Sequence, residues 1–143
     1  MIAGKGPYLA DLRAWLAAAD HGEVQLVVSA LMPLEVLGGS RDERTTVSAD
    51  AALLALDRHS VRQVAASRPV VTEARALRLA LGLKSMDAIH LASAAIGHAD
   101  AFLTGDGALL TIGEYRGIVI VPPLWPGDVP FDFEDPAGDP GSE

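Results

Sequence analysis

The 143-residue chain contains no cysteine. That excludes a disulfide framework, a thiolate metal site and a cysteine nucleophile, and it fits a reducing compartment. Aromatic residues make up only 5 % of the chain, and Tyr8, Trp15, Phe102, Tyr115 and Trp125 form no stripe on which bases could stack. No apolar run reaches the roughly 18–20 residues of a membrane span. The opening MIAGKGPYLADL lacks the basic start and apolar stretch of a secretory leader. The expectation is a soluble, cytoplasmic protein with no membrane partner. Three phosphate or nucleophile signatures are also missing: GxGxxG after a strand, GxxxxGK[ST] and G-x-S-x-G.

Basic residues are scarce at one end. Residues 128–143 hold Asp128, Asp132, Glu134, Asp135, Asp139 and Glu143 but no Lys or Arg. Taking those six from the 19 acids leaves 13 against 11 Lys and Arg, so most of the net charge of −8 belongs to this segment. The remaining body is near neutral, without the basic face that marks many nucleic-acid binders. Composition divides the chain into a folded unit over 1–121 and an acidic Pro/Gly-rich tail over 122–143, expected to be disordered.

Within the body, half-apolar composition and length suit one domain with one core. Periodicity predicts a helix from Pro7 to Ala19 with Leu9, Leu12, Leu16 and Ala19 on one face. The strand VQLVV (24–28) follows, then a short helical run LMPLEVL ending at Gly38-Gly39. Ser48 starts a helix reaching about His59, and VRQVA (61–65) is a weaker strand. Pro69 opens a helix with Val71, Ala74, Leu77 and Leu81 inward and Arg75 and Arg78 outward. Ser85 is expected to cap the next helix, Gly97 precedes the strand AFLT (101–104), and a helical turn leads to the strand IVIV (118–121). Alternating helices and strands define an α/β class with a mainly parallel sheet.

In such sheets ligands bind beyond the carboxyl ends of the strands. Three acids fall there: Glu35 in the helix after VQLVV, Asp87 in the first turn of its helix, and Asp106 between Gly105 and Gly107. Each has an ordinary structural explanation. Asp87 complements a helix dipole, Asp106 suits a turn, and Glu35 could lie on a solvated face. Taken together, without cysteine, they form an oxygen-only donor set suited to Mg²⁺ or Mn²⁺, and crowded carboxylates repel unless a cation neutralises them. His90, three residues after Asp87, reads as a packing histidine ahead of a metal or relay partner. An aspartyl-nucleophile phosphohydrolase would need a D-x-D after a strand, which is absent.

Two stretches, VVSALMPLEVL and KSMDAIHLASAAIGHADAFLTGDGAL, resemble motifs of the PIN-domain family, and in particular of its VapC-like ribonuclease toxins. The first supplies Ser29 and then Glu35; the second supplies Asp87 at the start of a helix rich in small residues, then Thr104 and Asp106 after a strand. The resemblance spans roughly residues 1–121. It implies a Mg²⁺- or Mn²⁺-dependent endoribonuclease acting on RNA, restrained by a cognate antitoxin, and a homodimer. It implies Glu35, Asp87 and Asp106 as metal ligands, with Thr104 orienting the loop or touching the scissile phosphate. The family's first, central strand and its terminal acid have no counterpart here, and Asp11 and Asp20 lie in the following helix. The chain as written is therefore expected to cleave RNA poorly, and the alternative reading is an inactive or truncated PIN-like binding module.

Overall fold

The computed structural model describes residues 9–36 and 53–125. In chain order these form α1 (Leu9–Asp20), β1 (Leu26–Ser29), α2 (Met32–Val36), the helical turn α3 (53–56), β2 (Val61–Val64), α4 (Arg68–Leu81), α5 (Ser85–Ile96), β3 (Ala101–Leu103), α6 (Gly107–Ile112), β4 (Glu114–Tyr115) and β5 (Ile118–Val121). The expected helix start at Ser48 and the Gly38-Gly39 stop lie outside the described residues.

The strands pair as expected of an α/β protein. β1 runs parallel to β2, Leu26 opposite Val61. β3 runs parallel to β5, Ala101 opposite Val119, and β4 pairs antiparallel with the other side of β5. The pairing is mainly parallel, as expected, and among the described residues it is divided between two sheets, β1–β2 and β3–β5–β4. Helix α5 joins them through its packing: the apolar surface of Ala88, Leu91, Ala92 and Ala94 belongs to a core that also takes in Val64 of β2, Phe102 of β3 and Ile118 and Ile120 of β5. A smaller cluster of Val28, Met32, Leu56 and Val61 lies at the β1–β2 sheet. Gly97, at the C-terminus of α5, shows how closely that helix approaches β1 and β2. A Cβ there would stand 2.9 Å from the Ser93 carbonyl oxygen and Val27 Cγ1, and 3.2 Å from Val64 Cγ2.

Several helix faces differ from the sequence reading. In α4 the buried stripe is Val70, Ala74 and Leu77, while Val71 and Leu81 are exposed. Both stripes satisfy the 3.6 period through Ala74 and Leu77; Leu83, past the Gly82 cap, is buried in place of Leu81. In α1 the buried positions are Trp15, Ala18 and the expected Ala19, while Leu16 is partly buried against the smaller cluster. Ser85 does not cap α5. It is already the first helical residue, Lys84 occupies the N-cap position, and no side-chain cap bond forms. The β4 strand was not foreseen. Arg116 and Gly117 both have positive φ and form the two-residue turn that matches the twist of a hairpin. The hairpin is tied to α4, where Glu73 accepts from Tyr115 Oη and pairs with Arg116 at 3.1 Å.

The first residues after Val121 have partners in α1. Residues 122–125, assigned to the tail by composition, lie against α1. Trp15 Nε1 donates to the carbonyls of Pro123 and Leu124 at 3.3 and 3.2 Å. The Trp125 N–H donates to Asp11 Oδ1 at 3.0 Å, and the two indoles meet edge to face at 5.2 Å. The remainder of the tail lies outside the described residues, as do residues 1–8 and 37–52 of the expected 1–121 unit.

Candidate metal-dependent nuclease site

Glu35 is carried by α2, the short helix that follows β1. The turn between them is set by Ser29, whose buried hydroxyl accepts the Leu31 N–H at 3.1 Å, while the Ala30 N–H donates to the Val64 carbonyl and holds the turn against β2. Glu35 neither lies free on a solvated face nor is fully buried: its side chain is 34 % exposed and its Oε2 lies 2.9 Å from His90 Nε2. His90 is buried in α5. Burial pushes its pKa below the ordinary value, while the charges of Glu35 and Asp87 pull the other way. A carboxylate can only accept, so in this contact Nε2 is the donor to ionised Glu35.

Asp87 sits in the first turn of α5, as the sequence reading placed it. Its pKa is raised from the usual 3.8, first by burial, then by the negative charges of Asp106 and Glu35. The three acids are carried by three separate elements, α2, α5 and the loop after β3, and the charges of Asp106 and Glu35 are felt at Asp87. Burial and both neighbouring charges oppose ionisation of Asp87, and a cation beside the carboxyl would act in the opposite sense.

Asp106 follows β3 and is exposed. It is the N-cap of α6, its Oδ1 accepting the Ala108 N–H at 3.3 Å, so the turn role weighed from sequence is a capping role. Thr104 is only 2 % exposed, and its Oγ1 accepts the Asp106 N–H at 3.1 Å. The Thr104 hydroxyl thus engages the backbone of the loop that carries Asp106. Asp11 and Asp20 have other partners: Asp11 holds Trp125, and Asp20 pairs with Arg58 at 2.6 Å and accepts from Ser60 Oγ at 2.5 Å.

The donor chemistry of Glu35, Asp87 and Asp106 fits a hard divalent cation: oxygen-only, negatively charged and mutually repelling. Among the described residues, however, no three His, Asp or Glu side chains are grouped closely enough to hold an ion as they stand. The Glu35–His90 contact was missed by the sequence reading. Its signal was a carboxylate among the apolar neighbours of LMPLEVL and a histidine in the apolar DAIHLASAA, two polar groups that each needed a partner.

The PIN domain family model matches residues 4–114, and the chain belongs to that family. PIN domains are generally nucleases and typically use divalent metal ions. No curated protein and no solved structure matches the chain. Among the described residues no helix is long and apolar enough to cross a membrane.

Proposed function

We propose that the protein is a Mg²⁺- or Mn²⁺-dependent endoribonuclease of the VapC-like toxin type, hydrolysing RNA phosphodiesters. The observation that carries this reading is the match of residues 4–114 to the PIN domain family, in a chain that places Glu35 on the helix after β1, Asp87 in the first turn of α5 and Asp106 just after β3. Asp87 and Asp106 would hold the ion directly, and Glu35 would complete the set. A divalent cation supplies the charge that acidifies an attacking water and offsets negative charge on the phosphodiester. The protein's part is positional. Helix α5 presents Asp87, the Thr104–Asp106 contact fixes the loop after β3, and His90 engages one oxygen of Glu35.

The toxin assignment brings the remaining elements of the proposal: a cognate antitoxin as protein partner, a homodimeric state and a cytoplasmic location. They rest on the resemblance of Ser29–Glu35 and Asp87–Asp106 to the motifs of those toxins. The second reading, a PIN-like binding module without catalysis, is favoured by the absence of a closed ligand group among the described residues.

The test is cleavage of a structured RNA by the full chain in Mg²⁺ and in chelator, beside Asp106→Asn. Chelator-sensitive cleavage lost in the variant supports the nuclease. Metal-dependent RNA binding without cleavage moves the assignment to the binding module.

A further inference from the structure

We infer that His90 is a positioning residue for Glu35, so that α5 both contributes one carboxylate of the site and orients a second. This rests on the reading of the acids as a cation site. Glu35 stands on a helix of five residues, too short to fix a long side chain by its own packing, and it has to be held from elsewhere. The 2.9 Å contact with His90 does so across 55 residues of sequence. Among the described residues His90 is the hydrogen-bond partner of Glu35, and it engages one of the two carboxylate oxygens, Oε2.

The holder is itself fixed. The His90 side chain is 4 % exposed and lies among Ala88, Leu91, Ala92 and Ala94 of a tightly buried helix. Packing of that kind locks a rotamer, and a locked group places its hydrogen-bond partner reproducibly. Asp87 and His90 are three residues apart on one helix, so they are surface neighbours on it. A shift of α5 then moves Asp87 and the anchor of Glu35 together, which preserves the spacing of the two carboxylates. A histidine that only filled space in the core would have no need of Glu35, and phenylalanine would serve as well.

The measurement is Mn²⁺ affinity of the full chain, by titration calorimetry or by paramagnetic resonance of the free ion, for wild type, His90→Phe and His90→Gln, with the melting temperature of each recorded without metal. His90→Phe should weaken Mn²⁺ binding about 10-fold, the lower end of what loss of a ligand's hydrogen-bond partner costs. His90→Gln, which keeps an N–H donor, should recover most of it. If His90→Phe changes the melting temperature but binds Mn²⁺ like wild type, the positioning role is overturned and the cation site stands. If wild type binds no Mn²⁺, the cation site falls and the inference with it. Should His90→Phe fail to fold, the ¹⁵N resonances of the His90 ring decide the matter in wild type. They should report a protonated Nε2 and move with the Mg²⁺ titration. Ring resonances that stay still while Mg²⁺ binds contradict the inference.

Discussion

At the residue scale the account turns on Asp87. Its carboxyl keeps a proton to higher pH in the folded state than in the unfolded chain, because burial and the charges of Asp106 and Glu35 oppose its ionisation. The sign of the linkage follows. As pH rises from the ordinary value of 3.8 through the raised folded value, the folded state holds more protons than the unfolded state, so stability contributed by the neutral form is lost. Above that window ionised Asp87 destabilises the metal-free fold. Asp87→Asn should therefore melt at a higher temperature than wild type at neutral pH in chelator, and its advantage should fade as pH falls toward 3.8. Thermal melts of both proteins across that range check this. An equal or lower melting temperature for the variant at pH 7 would show that the helix-dipole role of Asp87 outweighs the repulsion. The element on which each of the three acids lies was legible from sequence, because each follows a strand or opens a helix. Their coupling was not, since it depends on how α2, α5 and the loop after β3 come together. The His90–Glu35 bond was out of reach for the same reason: the pattern shows that both groups need partners without pairing them.

At the element scale, α5 is the piece on which the rest depends. Its small residues let it pack between both sheets, and Gly97 marks the tightest point. Gly97→Ala should destabilise by about 1–3 kcal/mol, the usual cost of forcing a group into a filled interior, because the new Cβ would meet Val27 and Val64 as well as the Ser93 carbonyl. Chemical denaturation measures it; a loss below about 0.5 kcal/mol would mean that β1 and β2 give way easily. The composition of this helix made its burial predictable, and the continuous apolar run IVIV marked β5. Exact faces were less legible. The α4 stripe lies one residue from the expected one at its start because Val70 and Val71 both fit the period, and only the neighbours decide between them. α1 shows the same limit: a leucine repeat suggested the inward face, while Trp15 occupies it through partners more than 100 residues away.

At the scale of the whole molecule, the body is closed by residues far apart in sequence. The stretch 122–125 returns to α1 through Trp15, Asp11 and Trp125, which composition alone had placed in an acidic tail. A chain ended after Trp125 should melt close to the full-length protein, whereas one ended after Val121 should lose roughly 5 °C, the effect of about 1 kcal/mol in a domain of this size. Equal melting of the two truncated chains would show that the indole pair contributes nothing. Membership in the PIN family sets the general expectation of a nuclease, and the central claim is that Glu35, Asp87 and Asp106 serve a single divalent ion. The most direct measurement is the melting temperature of wild type, Glu35→Gln and Asp106→Asn with increasing Mn²⁺. An ion that binds only the folded state stabilises by about 2.7 kcal/mol at a hundred times its dissociation constant. Wild type should rise accordingly, and both variants should lose most of the rise. A wild-type protein indifferent to Mn²⁺, or variants that rise as far as wild type, would contradict the claim.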